Sequence, residues 1–326
     1  MQLKLNFHNC NTMSYDLHKD PFSFGQGGGA SAASAEFPGF ILFHLFLEKY
    51  RFDATARPHG SGTFGRIFLG TDLDTTKSVV VKKVFYERTT QNPNAYLDNI
   101  WREVQAAMSF DSPRLCKVLG FSVDEARFGY IVMEHINGMD AFDFFKQNLL
   151  LGKTNPVLAK RILRDIASGL ATMHAAGFAH RDIKLDNVML ELSEDGEFVR
   201  AIIIDFGFTM RICEIPRGSQ QGSISYSAPE ISQNRFCSEK VDIWAFGVII
   251  FAILHGSYPI WSKHQDPKRE AKEVFQKLQK LSESPELPIY TEGNKDVNHL
   301  RMICARCLEF DQDARISAAE LLAMLS

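Results

Sequence analysis

Residues 180–187 read His180-Arg181-Asp182-Ile183-Lys184-Leu185-Asp186-Asn187, and this short stretch decides how the rest of the chain is read. It sets a carboxylate (Asp182), an ammonium (Lys184) and a carboxamide (Asn187) in order on one loop. The loop follows a strongly signalled helix: Asn155 offers an N-cap, Pro156 suits the first helical position of PVLAKRILRDIASGLATMHAAG, and Gly177 closes it. A positioned carboxylate accepts a proton, an ammonium offsets moving negative charge, and an amide oxygen binds a hard cation.

Working outward, the apolar run Ala201 to Ile204 delivers Asp205-Phe206-Gly207, a carboxylate at a strand end that suits Mg²⁺ bridging phosphate oxygens. Upstream, His59-Gly60-Ser61-Gly62-Thr63-Phe64-Gly65-Arg66-Ile67 contains a GxGxxG. Alone this is weak, because dinucleotide-binding folds share it. A dinucleotide loop opens a helix, however, and here the glycines are followed by a strand, turn and strand, so the loop belongs to a hairpin. Its glycines let backbone N–H groups approach phosphates, with Phe64 covering the site. Lys82, in VVVK one strand downstream, projects toward the same phosphates, while Lys83 points to the opposite face by strand alternation. A buried lysine needs a counter-ion, and Glu103 in the helix WREVQAAM is the candidate. Taken singly, a helix glutamate belongs to a solvated face; its neighbours raise this one above that reading.

In this order and with these gaps, the motifs resemble those of eukaryotic-type Ser/Thr protein kinases across roughly residues 50–326. The likeness continues through Ala228-Pro229-Glu230, the helix DIWAFGVIIF with Asp242, and Arg315. It implies an α+β, bilobal protein-kinase fold with a small β-rich N-lobe (49–138, hinge included) and a larger, mainly α C-lobe (139–326), behind an N-terminal extension (1–48). The implied cofactors are ATP and Mg²⁺. The implied catalytic set is Asp182, Lys184, Asn187, Lys82 and Glu103, with Asn187 and Asp205 on the metal. The implied nucleotide site comprises His59, Gly60, Ser61, Gly62, Thr63, Phe64, Gly65, Ile67, Val80, Lys82, Met133 as gatekeeper, the hinge Glu134 to Ile136, Asp140 at the ribose, Asn187 and Asp205. Glu230 and Arg315 become a buried structural ion pair. Lys184 and Ser223 favour a Ser or Thr hydroxyl as acceptor. Asp140 and Asp186 stand where related enzymes grip arginines upstream of the acceptor, and Phe208 resembles kinases preferring serine. Ser219 lies where a phosphate would meet Arg181.

Departures from the family pattern are His59 before the first loop glycine, Val80 in place of a common alanine, and Ala107, four residues after Glu103, where a larger apolar residue normally holds that helix inward. DQDAR also replaces the usual DPxxR. None removes a reacting group. A pseudokinase scaffold is the first rival reading, disfavoured because Lys82, Glu103, Asp182, Asn187 and Asp205 are all present. A small-molecule phosphotransferase is the second, and would normally lack the APE segment and the DIWAFG helix.

Composition agrees with a globular enzyme: 326 residues, 45% hydrophobic and 23% charged. A net charge of −3 gives no footprint for nucleic acid or an anionic membrane, so partners are argued from the site, where the resemblance implies a protein substrate; no pattern specifies an oligomer. Six scattered cysteines without a secretory signal imply a reducing, intracellular setting, cytoplasm and/or nucleus. Cys304 and Cys307 lie in an apolar-periodic helix and lack a second ligand pair for zinc. Residues 25–35 read as a Gly/Ala/Ser linker after a solvated tail, and FPGFILFHLFLEKY as a short amphipathic helix docking on the folded body.

Overall fold

The computed structural model describes residues 43–62, 65–84, 95–124, 128–150, 155–219, 222–256 and 295–326, with position 41 and short helical stretches between 269 and 278. The expected linker and tail, together with Thr63 and Phe64, lie outside the described residues.

The N-terminal lobe begins with helix α1 (Phe43–Lys49) and strands β1 (Tyr50–Phe52), β2 (Gly60–Gly62), β3 (Gly65–Asp72) and β4 (Ser78–Val84). Helix α2 (Ala95–Met108), β5 (Val118–Val123) and β6 (Gly129–Glu134) complete it. The strands form one six-stranded antiparallel sheet in the order β1-β3-β4-β6-β5, with β2 paired to β3. The glycine motif is therefore a hairpin, as its context implied: Gly60 faces Ile67 and Gly62 faces Gly65.

Strand β4 shows how the sequence writes two faces at once. Its β-branched valines favour extended backbone. Val79 and Val81 are buried in an aromatic cluster on one face, and Lys83 extends its ammonium over the rings of Phe128 and Tyr130 there, at 4.3 and 5.4 Å. The alternate residues, Val80, Lys82 and Val84, face the other way by pleat. The same outer cluster receives α1. Phe46 is fully buried among Tyr50, Phe52 and Tyr130, with ring centroids 5.3 to 6.2 Å apart, and Ile41 N–H donates to Phe121 C=O at 2.9 Å. The segment just before the sheet is thus packed onto it.

The C-terminal lobe comprises β7 (Gly138–Asp140), α3 (Ala141–Leu150), α4 (Pro156–Ala175), β8 (Phe178–Ala179), β9 (Val188–Leu192), β10 (Phe198–Ile203), β11 (Met210–Arg211), α5 (Pro229–Ser232), α6 (Lys240–His255), α7 (Lys295–Cys307) and α8 (Ala318–Leu325). Helix α4 starts as its sequence implied: Asn155 Oδ1 accepts from the amides of Val157 and Leu158, and Pro156 takes the position whose N–H has no helical partner. Helix α6, apolar nearly all round, is the buried axis of the lobe, as such a pattern requires. Ser317 and Glu320 close a reciprocal capping box on α8. Arg315 grips Glu230 with both Nη atoms, at 2.7 and 3.0 Å, and stacks over Trp244. Cys304 and Cys307 are buried, unbridged helix residues. Among the described residues no helix is long and apolar enough to cross a membrane.

Candidate active site

Lys82 stands on β4 with its Nζ 2.6 Å from Glu103 Oε1 on α2 and 2.7 Å from Asp205 Oδ1 beyond β10. Three separate elements of both lobes therefore meet at one ammonium. Burial by itself would depress the Lys82 pKa, but Glu103 and Asp205 outweigh it and hold the group above the ordinary lysine range. Burial would likewise raise Asp205, yet Lys82 keeps this carboxyl below its usual value. The Glu103 carboxyl is pushed up by burial, with Lys82 opposing; its second oxygen, Oε2, has no partner among the described residues.

Opposite this triad lies the loop 180–187. Asp182 Oδ2 accepts from Asn187 Nδ2 at 2.9 Å and sits 2.9 Å from Lys184 Nζ. Asp182 Oδ1 accepts from the amide of Ser223 at 2.9 Å, while Lys184 Nζ donates to Ser223 Oγ at 3.1 Å. Asp182, Lys184 and Ser223 thus meet at one point. Their meeting depends on Gly222, whose φ of +75° favours glycine and where a Cβ would fall 2.6 Å from Asp182 Oδ1.

Two non-glycine residues at the site also take left-handed backbone, Arg181 (φ 69°) and Asp205 (φ 62°). Such conformations persist where surroundings over-determine them. For Arg181 the cause is visible: Asp242, fully buried at the start of α6, accepts from the amides of His180 (2.8 Å) and Arg181 (2.7 Å) and lies 2.9 Å from His174 Nε2. Burial alone would raise the Asp242 carboxyl, but these partners hold it below the usual range. Asp242 is the peg on which the loop hangs.

Phe206 is buried, its ring 5.8 Å from His180 and 6.0 Å from Phe110, which in turn meets Phe178 edge-on at 5.4 Å. Ala107 is buried but small, and the aromatic bulk beside Phe206 comes from Phe110 at the foot of α2. Sequence reading missed Phe110, because its partners are distant in the chain and its own neighbourhood carries no motif.

The remaining expected residues divide as follows. Met133 and Glu134 end β6, with Val80 opposite Met133 and Ile67 opposite Lys82 in register. His59 is exposed, its amide donating to Ile67 C=O at 2.8 Å. Ile136 is buried. Asp140 Oδ1 accepts from Asp143 N at 2.8 Å, so one of its oxygens caps α3. Asp186 is exposed and Phe208 half-buried. Arg181 Nη2 donates to the unmodified Ser219 Oγ at 2.6 Å, so the serine lies within reach of that arginine. Gly60 to Gly62 and Gly65 form the hairpin above this cleft.

Comparison with known proteins settles the family. The sequence profile of the protein kinase domain matches residues 55–325. The chain belongs to the protein kinase family. This kinase domain is 31% identical over 240 residues to a mitogen-activated protein kinase kinase kinase, bck1, of Aspergillus fumigatus, a match covering 70% of this chain and 14% of that protein. It is 29% identical over 218 residues to a probable serine/threonine-protein kinase 2 of Plasmodium falciparum (67% and 39%), and 27% identical over 203 residues to the serine/threonine-protein kinase PrkC of Bacillus subtilis (61% and 30%). The chain thus spans about a seventh of the Aspergillus relative and well under half of the others.

The donor set fits Mg²⁺. Asn187 spends its amide nitrogen on the Asp182 carbonyl (2.8 Å) and carboxylate, which turns its amide oxygen the other way. Asp205 Oδ1 is taken by Lys82, so Oδ2 is the oxygen that would serve as the second ligand. Two protein oxygens suit a cation that keeps water and takes substrate phosphates as its other ligands.

Proposed function

We propose that this chain transfers the γ-phosphoryl group of ATP to a serine or threonine hydroxyl of a protein substrate. The observation that carries the reading is the convergence, across the cleft, of Lys82–Glu103–Asp205 with Asp182–Lys184–Asn187. In this scheme Lys82, held by Glu103, places its charge against the nucleotide phosphates, and the backbone amides of Gly60 to Gly65, with Ser61, Thr63 and Phe64 between, cover them. The hinge Glu134 to Ile136 bonds adenine, with His59, Ile67, Val80 and Met133 around the base and Asp140 at the ribose. Asn187 and Asp205 hold Mg²⁺, which when bound supplies charge neutralisation at the phosphate oxygens. The acceptor hydroxyl forms a bond to the γ-phosphorus as the bond to the ADP oxygen breaks. Asp182 Oδ2 takes the hydroxyl proton, and Lys184 offsets charge on the phosphoryl in transit. The domain limits at 49 and 139 belong to the same proposal.

The finer substrate reading is a serine with arginine two or three residues upstream. Exposed Asp186 and Asp140 Oδ2, which has no partner among the described residues, are carboxylates that an arginine fork matches in charge and shape. Phe208 after the glycine of Asp205-Phe206-Gly207 supports serine. A positional-scanning peptide library with labelled ATP tests both: enrichment for upstream arginine and label on serine is expected. Flat selectivity, or selection for proline after the acceptor, rejects the upstream-arginine reading. No label on any peptide rejects the enzyme.

A further inference from the structure

Arg200, an interior residue of β10, has no role in the chemistry above, yet its guanidinium joins three chain segments around the hinge. Nε donates to Glu191 Oε2 on β9 at 2.5 Å. Nη1 donates to Pro113 C=O, in the loop after α2, at 2.7 Å. Nη2 lies 3.7 Å from Glu134 Oε2, at the last residue of β6. The other carboxylate oxygen of Glu134 accepts from Lys117 N at 2.8 Å, and Glu134 N–H donates to Lys117 C=O at 3.0 Å. Both the backbone and the side chain of the first hinge residue are therefore tied down, and the side-chain tie runs to the C-terminal lobe.

The exit of the hinge is held on the same small sheet. β7 pairs with β9, placing Gly138 opposite Glu191, and Leu192 N–H donates to Asn137 C=O at 2.8 Å. The approach is so close that a Cβ on Gly138 would lie 1.8 Å from Leu190 C=O. Glu191 thus sits across from the hinge exit while its carboxylate holds the arginine that reaches the hinge entry. The loop after α2 is bound in parallel: Cys116 N–H donates to Ile203 C=O and Ile203 N–H to Arg114 C=O, both at 2.9 Å. Arg114 meets Asp165 of α4 at 3.0 Å, and Asp165 accepts from Ala201 N at 3.0 Å.

We propose that Arg200 is a positioning residue for nucleotide binding, a clasp that fixes the hinge entry at Glu134 against β9 and β10. The inference rests on the kinase reading for its nucleotide. Arginine is suited to this because its planar fork presents donors in several directions, whereas the ammonium of a lysine is a single point charge. The side chains of Arg200, Glu134 and Glu191 are 23 to 28% exposed, so the cluster is partly shielded. The clasp acts on the backbone groups that face adenine, not on the reacting atoms, so its loss affects nucleotide affinity before turnover.

The test compares Arg200→Ala, Glu134→Gln, their double variant and, as a control, Val199→Ala at an exposed neighbour on the same strand. Arg200→Ala is expected to raise KM for ATP about tenfold while kcat stays within about twofold. Glu134→Gln, which keeps an acceptor for Lys117 N–H but loses the ion pair, should do the same, and the double variant should be no worse than either single one. Equal losses in kcat with KM unchanged, or additive effects in the double variant, overturn the proposal. Hydrogen exchange at the amides of 134–136 in nucleotide-free protein gives a readout without turnover. It should quicken in Arg200→Ala and not in Val199→Ala, and unchanged exchange overturns the clasp whether or not the chain proves active. A wild type without phosphoryl transfer would sink the activity reading alone.

Discussion

Burying the Lys82 ammonium between Glu103 and Asp205 makes each of the three groups depend on the others. Removing one partner of a buried, hydrogen-bonded charge leaves the rest uncompensated, typically at several kcal/mol. Glu103→Gln should therefore lower kcat/KM for ATP by roughly 10- to 100-fold with the protein still folded, and Lys82→Arg should be no rescue, since a planar fork does not fit between these two oxygens. Steady-state kinetics with a melting curve for each variant checks this. At this scale the sequence was legible where the candidate site is written locally. Asp182, Lys184 and Asn187 fall on one loop, so spacing alone exposed them, and strand alternation separated Lys82 from Lys83. It was silent where the partner is far away. Arg200 looks like any strand arginine until Glu134, Glu191 and Pro113 are brought to it, and Phe110 like any helix-end aromatic until Phe206 and Phe178 meet it.

Elements carry two further expectations. Helix α1 was legible as an apolar-rich segment, but its seat on the outer face of the sheet was only a docking expectation, because periodicity gives a buried stripe without naming what covers it. Phe46 fills the aromatic cluster completely, so Phe46→Ala should destabilise the protein by about 3–5 kcal/mol, read as a lower urea midpoint with little change in slope. Activity at low temperature should survive, since no reacting group touches α1. The activation segment carries the other expectation. Arg181 already donates to Ser219 Oγ, and a phosphate there would replace a neutral acceptor by a dianion with strong acceptor oxygens. Phosphatase treatment and Ser219→Ala should each lower kcat by roughly an order of magnitude. Unchanged kcat in both would mean that the loop is ordered without a charge at this position.

Across the whole molecule, the loop 180–187 hangs on Asp242 of the central helix, which links the candidate site to global stability. The folded pKa of Asp242 lies below that of an unfolded aspartate near ~3.9. Its contribution is thus fully present above about pH 4 and is lost as pH falls through the depressed folded value. Asp242→Asn should lower the melting temperature at neutral pH by roughly 6–12 °C, taking ~3 kcal/mol for a lost buried charge and ~2–4 °C per kcal/mol. It should also flatten the decline of stability below about pH 4, measured by thermal melts across pH. The two-lobed architecture was legible because β-rich and helix-rich stretches are segregated along the chain, whereas the ties between lobes at 114–116 and 203 are backbone contacts that no side-chain pattern announces.

The central claim is that Asp182 takes the acceptor proton in a chain that binds and uses ATP. It is tested most directly by measuring phosphate transfer to peptide and nucleotide-induced thermal shift on wild type and Asp182→Asn together. The account predicts that transfer falls by at least about 10³-fold in the variant while the nucleotide shift persists. Turnover of the variant at the wild-type rate would contradict it.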